Sequence, residues 1–404
     1  MAGLLLTRIG QLVTNAPGAR DLVGTIDDAA VAIEDGRVAW AGPEDDLPRS
    51  HQSLPVLDCE GRAVLPGFVD PHTHLVFAGD RADEFARRLE GESYEQVLAS
   101  GGGIHRTVRE TRAAERAELV DQAEVRLRRM LAHGTTTVEI KSGYGLETDT
   151  ERRILETVAE LARRVPMELV GTFLGGHLVP EEYEGDREGY LKLVEEEMLP
   201  ACAPLARYCD VFCDRGAFTV EEARRLLAAG ARHGLRPRLH ANELGSTGGA
   251  RLAAELGAVS ADHLAFLDGE EIAGLRGAGT VAVLLPATSF SLGGARYAPG
   301  RQLWDGRVTV ALGTDCNPGT SYTESMPFVI ALACAEMGLS PAQALWSATR
   351  GGALALEEPA KGWLGPGSAG DLVVLDAPSY LHLSYRPGSN LAWKVVKGGE
   401  VVVT

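Results

Sequence analysis

The chain has 404 residues, of which 45% are apolar and 24% charged, a globular composition that excludes a disordered chain. That length fits two compact units, or one barrel of about 250 residues with an attachment. Lys and Arg total 39 against 56 Asp and Glu, a formal net charge of −17 that repels phosphate backbones and anionic lipid. Neither nucleic acid nor a membrane is therefore an expected partner, and an anionic small substrate needs its own local Arg or Lys.

No apolar run reaches the roughly 18 residues of a membrane span. The N-terminal run stops at Arg8 and has no basic segment before it, so no signal peptide is expected. The six cysteines form no CxxC pair, which fits reduced thiols in the cytoplasm. Cys202, Cys209 and Cys213 lie close enough together to raise a metal site. However, Tyr208–Asp214 reads as a buried strand in which Cys packs as a small hydrophobe.

In chain order, residues 1–62 carry short β-like runs at Leu4–Thr7, Ala29–Ile33 and Arg37–Ala41, with Asp35-Gly36 as a hairpin turn. Residues 357–404 have the same character, with Asp371–Asp376, Trp393–Lys397, the turn Gly398-Gly399 and Val401–Thr404. The two ends are expected to form one composite β-sandwich domain. Between them, residues 63–356 alternate β-branched runs with amphipathic stretches such as Thr111–His133 and Thr148–Arg164. Strands are expected at Ala63–Val69, Thr135–Ile140, Glu168–Phe173, Tyr208–Cys213, Arg238–Ala241, Ala258–Asp262, Thr280–Leu285 and Val308–Gly313. Eight such units make an α/β chain with a (β/α)8 TIM-like barrel, whose active site lies at the C-terminal strand ends.

Those ends carry the chemistry. The first strand runs into Pro66-Gly-Phe-Val-Asp-Pro-His72-Thr-His74, and residues i and i+2 of an extended chain share a face. His240 ends the fifth strand, His263 follows the sixth and Asp315 the eighth. Three of these four imidazoles with the carboxylate suit Zn²⁺ or Fe, with a position left for water.

This pattern resembles the metal-dependent amidohydrolase superfamily, and the terminal β unit resembles that family's small second domain. Further segments narrow the resemblance: Val76–Arg81, Glu139-Ile-Lys-Ser-Gly-Tyr144-Gly, Phe173–His177, His240-Ala-Asn-Glu243 and Thr314-Asp-Cys-Asn317-Pro-Gly-Thr320. They resemble the superfamily members that open the ring of 4-imidazolone-5-propanoate to N-formimidoyl-L-glutamate in histidine degradation. The resemblance covers nearly the whole chain. It implies one divalent or trivalent ion per chain, Zn or Fe, on His72, His74, His240 and Asp315. It implies catalysis by His263, Asp315 and Glu243, and leaves open which of them is the general base. It implies substrate contacts from Arg81, Tyr144, His177, Glu243, Asn317, Gly319 and Thr320, and a homodimer.

Read without the resemblance, Arg81 is a solvated Arg near Asp80 and Asp83, Glu243 a helix N-terminal carboxylate, and Tyr144 and His177 packed rings. Binuclear relatives use a carboxylated Lys at the end of the fourth strand. Cys213-Asp214 stands there, so a mononuclear site is expected, with Lys141 an ordinary loop or salt-bridge lysine. His51, His105, His133, His233 and His382 lie off the strand ends and are expected to be structural, and Gly101-Gly-Gly103 to be a rim loop or lid. A cytosine- or guanine-type aminohydrolase has nearly the same ligand set and is the alternative. Arg81, Tyr144 and Asn317–Thr320 favour a substrate that bears a carboxylate.

Overall fold

In the computed structural model, residues 3–92, 101–293 and 296–404 are described. Eight short apolar runs form the strands β6 (Phe68–Asp70), β7 (Thr135–Lys141), β8 (Glu168–Gly176), β9 (Tyr208–Cys213), β10 (Arg236–Ala241), β11 (Ser260–His263), β12 (Val281–Leu284) and β13 (Val310–Leu312). They pair in sequence order, every pair parallel, with helices covering the outside. The helix Thr148–Leu161, for example, buries Ile154, Leu155, Val158 and Leu161 on one face.

The barrel closes between β6 and β13 through residues beyond both strands. Asp315 N donates to His72 O at 3.0 Å and His74 N to Cys316 O at 3.0 Å. Thr314 adds its N and Oγ1, donating to the Asp70 carboxylate at 3.1 and 2.6 Å. The residues expected to hold a metal thus also close the seam.

The ends of the chain meet in a second, mixed sheet. It contains β1 (Gly3–Val13), β2 (Thr25–Glu34), β3 (Arg37–Pro43), β4 (Val56–Asp58), β5 (Ala63–Pro66), β14 (Leu372–Leu375), β15 (Ala392–Lys397) and β16 (Glu400–Val403). Both expected hairpin turns are present. Asp35 and Gly36 have φ of 50° and 78°, and Gly398 and Gly399 have 56° and 84°, the positive values a two-residue type I′ turn requires. Leu6, Ile9 and Leu12 from the N-terminal end share one core with Leu372, Val374 and Val396 from the C-terminal end. Gly370 N donates to Gly36 O at 2.8 Å, which brings the β2–β3 turn back onto the approach to β14.

Two expected elements divide. The strand expected at Ala63–Val69 breaks at Gly67. Ala63–Pro66 pairs with β1 and β14, so by sheet membership the terminal unit extends past 62 to Pro66, and only Phe68–Asp70 enters the barrel. Pro66 has no N–H to continue a ladder, and a Cβ on Gly67 would lie 2.4 Å from Thr136 Oγ1, so only glycine passes this crossing. The helix expected at Thr111–His133 is two helices, Ile104–Ala113 and Arg116–Ala132, parted by the extended residues Ala114 and Glu115. The first lies along the rim, where Arg112 donates to Gly145 O at 2.6 Å, while the second buries Leu119, Ala123, Leu127 and Met130. One straight helix cannot do both.

The helical segment 347–355 seals the barrel at the seam strands. A Cβ on Gly351 would lie 2.2 Å from Val310 O, and one on Gly352 2.3 Å from Val69 O. Gly351→Ala is therefore expected to cost about 1–3 kcal/mol by overpacking. Thermal melting should show Tm lowered by several degrees, and an unchanged Tm would contradict this close approach.

Candidate metal centre and active site

Beyond β6, Thr73 bridges in parallel to Cys316, and His72 and His74 on either side of it meet His240 from the end of β10. The ligand nitrogens of these three rings lie within 4.8 Å of one another, and all three rings are buried. His74 Nε2 is 3.2 Å from His240 Nε2, and Asp315 Oδ1 is 3.5 Å from both His72 Nε2 and His74 Nε2. Ligand atoms about 2.0–2.1 Å from one tetrahedral ion stand about 3.3 Å apart, so this spacing fits a single ion. His72 Nε2 is buried without any hydrogen-bond partner, a costly state for a bare nitrogen that a cation relieves.

Carboxylates behind the rings select those nitrogens. Asp262 Oδ2 lies 2.6 Å from His72 Nδ1, and Asp210 Oδ2 lies 3.1 Å from His240 Nδ1. Asp262 thereby places the proton of His72 on Nδ1 and turns Nε2 toward the centre, the usual support of a ligand imidazole, and Asp210 stands in the same position behind His240. Asp315 Oδ2 accepts from Thr288 Oγ1 at 2.6 Å, which leaves Oδ1 for the cluster. Burial, followed by the charges of Lys141 and neighbouring rings, holds His72 well below the ordinary imidazole value. His74 falls for the same reasons, with His177 as its largest neighbour. Burial opposes the charged form of His240 too, but Asp210 outweighs it and the value rises.

Two site residues at strand ends, His263 (74°) and Asp315 (52°), adopt positive φ, as does Asn242 (53°) between His240 and Glu243. Non-glycine residues hold this region only where their surroundings fix them, as at functional sites.

His263 Nε2 is 3.6 Å from Glu243 Oε2, beside the cluster. Burial, with Asp315 nearby, pushes the Glu243 carboxyl up to about 8. Asp214 is the carboxylate that fixes this loop, accepting from the N–H of Glu243 at 2.6 Å and of Leu244 at 2.9 Å. A cavity of about 390 Å³ opens here, walled by Arg81, Tyr144, His177, Glu243, His263, Asp315, Asn317 and Thr320. The residues expected to bind substrate therefore come together, with one difference. Gly319 is absent from that wall and lies against Arg81, whose guanidinium fills the space a Cβ there would need.

Arg81 is buried at the start of the helix Ala82–Leu89, with Nε unpartnered, and among the described residues no carboxylate pairs with it. This is not a solvated Arg. His177 Nδ1 lies 2.9 Å from Gly143 O, and its ring stacks on His74 at 5.0 Å. Burial drags its imidazolium down to about 3, so the ring is neutral. Asn317 uses its amide inside its own loop, donating to Asp315 O at 2.6 Å and accepting from Gly319 N and Thr320 N at 2.8 Å.

Other expectations change. His105 lines the cavity, contrary to the structural role expected of it, because the turn at Gly103 (φ 68°) aims the following helix at the rim. Lys141 is the last residue of β7 rather than a loop residue, and with no exposed side-chain surface it makes the salt bridges that were its other expected role, to Glu139 at 2.8 Å and Asp210 at 2.9 Å. Glu151, unnoticed in the sequence, accepts from the N–H of Gly143, Gly145 and Leu146 at 2.7–2.9 Å and so fixes the loop that carries Tyr144. Cys202, Cys209 and Cys213 pack in the apolar core, as expected.

A parallel eight-stranded barrel with imidazoles and a carboxylate converging at its strand ends defines a hydrolase-type metal site. The sequence profile described as "Amidohydrolase family" matches residues 78–403. A relative named imidazolonepropionase from Mycolicibacterium smegmatis is 49% identical, covering 100% of this chain and 98% of its own. Another of that name from Salinispora arenicola is 52% identical (99% and 98% covered), and one from Halobacterium salinarum is 48% identical (97% and 96%). The chain belongs to the imidazolonepropionase family of the amidohydrolases.

Two solved structures share the fold at low identity. An Arthrobacter aurescens atrazine chlorohydrolase with zinc superimposes with TM-score 0.71 at 20% identity, over 99% of this chain and 95% of that one. A Xanthomonas campestris adenosine deaminase with bound zinc gives 0.72 at 19%, over 99% and 92%.

Removing an orienting carboxylate from a ligand imidazole typically weakens metal binding about 10–100-fold. Asp262→Asn should show that loss in a chelator competition assay, and unchanged affinity would mean that Asp262 does not support a ligand.

Proposed function

We propose that this protein is an imidazolonepropionase that hydrolyses the ring C–N bond of 4-imidazolone-5-propanoate to N-formimidoyl-L-glutamate. The observation that carries the reading is the convergence of His72, His74, His240 and Asp315 on the cavity that holds Arg81. Those four residues would hold one ion, Zn or Fe. When bound, the ion supplies a Lewis acid that makes water a competent nucleophile near neutral pH.

The chain's own residues supply the rest. Arg81, which no carboxylate pairs among the described residues, offers its fork to the propanoate, which an overall charge of −17 would otherwise repel. His177, with Nδ1 turned to Gly143 O, keeps Nε2 for the ring, and Tyr144 packs beside it. His263 takes the proton of the attacking water. Glu243, 3.6 Å away, is placed to pass a proton to the departing ring nitrogen. Water's oxygen then ends in the new carboxylate, one of its protons on the nitrogen released from the carbonyl and the other in solvent as the acid ionises. Asn317 and Gly319 serve the substrate indirectly, by shaping the loop under Arg81 and Thr320. The reading includes a cytoplasmic, homodimeric enzyme.

Incubation with 4-imidazolone-5-propanoate should remove its ultraviolet absorbance and yield formimidoylglutamate without ammonia. Ammonia released from an aminopyrimidine or aminopurine, with the imidazolone untouched, would replace this reading with the aminohydrolase one. Arg81→Ala loses a partly desolvated fork worth about 2–5 kcal/mol, so KM should rise tens of fold or more while metal content holds. Unchanged KM would move the carboxylate elsewhere. His263→Ala should lower kcat by about 10²–10⁴ with the metal retained. A near-normal kcat would pass the proton to Asp315 or Glu243.

A further inference from the structure

Directly beneath the imidazoles lies a layer of charge with no exposed surface: Glu139, Asp210 and Asp262 against Lys141 and Arg238. Three anions face two cations. Asp262 has several supports, accepting from Ser260 Oγ at 2.6 Å, with Arg238 at 3.4 Å and Lys141 more distant at 3.8 Å. For Asp210 the near cation is Lys141, at 2.9 Å, and Lys141 also lies 2.8 Å from Glu139. Of the two carboxylates that orient His72 and His240, Asp210 thus depends on this one ammonium, which it shares with Glu139 on the far side of the rings from the ligand nitrogens.

We propose that Lys141 is a positioning residue that preforms the metal site, supplying from below the positive charge that the ion supplies from above. This rests on the metal site proposed in the preceding subsection. Without the ion, Lys141 is the cation that answers the buried carboxylates of Asp210 and Glu139, so the imidazoles keep their orientation before metal arrives. With the ion bound, part of that duty passes to the metal. A lysine that merely packs the barrel would stabilise the stripped and loaded proteins alike, whereas a preforming lysine matters most to the stripped one.

Thermal unfolding of EDTA-stripped and Zn²⁺-reloaded protein tests this, using the wild type, Lys141→Met and Lys141→Arg. Lys141→Met is expected to lower Tm at least twice as much in the stripped protein as in the reloaded one, and Lys141→Arg to recover most of the difference. Equal losses in both forms would overturn the proposal. Should Lys141→Met fail to fold even when loaded, the charge-matched pair Lys141→Met/Asp210→Asn decides. Stripped Tm returning toward the wild type supports the proposal, and no recovery overturns it. A wild type that retains no metal and whose Tm ignores chelation would instead overturn the metal site, and the role of Lys141 with it. An unchanged Tm gap in Lys141→Met, with a metal-responsive wild type, removes the Lys141 role alone.

Discussion

The contact between Asp262 and His72 Nδ1, 2.6 Å long and wholly buried, decides which nitrogen of that ring is bare. With the matching contact from Asp210 to His240, it turns strand-end histidines into a set of inward-facing lone pairs. Such carboxylates cannot stand alone in a barrel interior, because an unpaired buried charge is among the costliest features a fold can carry. The strands beside them must therefore supply cations, and β7 and β10 do so with Lys141 and Arg238. Arg238 also donates to Pro71 O at 2.8 Å and Ala355 O at 3.1 Å, tying this charge layer to the segment that carries the first two histidines.

The same segment closes the barrel. Asp315 and His72 are joined by a backbone hydrogen bond, and Asp70 binds Thr314 across the seam. Fold and site are consequently not separable here: a change that opens the seam also spreads the ligand atoms. The site is further braced from outside by Arg126, which donates to Leu75 O and Phe77 O at 2.9 and 3.0 Å just beyond His74.

Much of this is legible in the sequence. Eight short runs that alternate with helical stretches announce the barrel, and the HxH pair, His240, His263 and Asp315 stand at strand ends, where an extended chain must present them together. The supporting layer is not legible in the same way. Glu139, Lys141, Asp210, Arg238 and Asp262 lie within strands or at their last residues. Their charges there break the apolar pattern without saying which face they serve or which charge answers which. The positive φ of His263 and Asp315 is likewise set by tertiary contacts. The break at Gly67 depends on the closeness of Thr136, far away in sequence, and the break at Ala114 on which faces two helices must bury. His105 reaches the cavity only because Gly103 turns the chain, a backbone event with no side-chain signature.

One ion on three imidazoles and one carboxylate, held by the buried charges behind them, is what we propose for this site. X-ray absorption at the metal edge, combined with elemental analysis of the purified protein, measures this directly. One Zn or Fe per chain, with three imidazole nitrogens and carboxylate oxygen in its shell and no sulfur, is the expected result. Two ions per chain with a metal–metal signal near about 3.5–4 Å, or a shell containing thiolate, would contradict it.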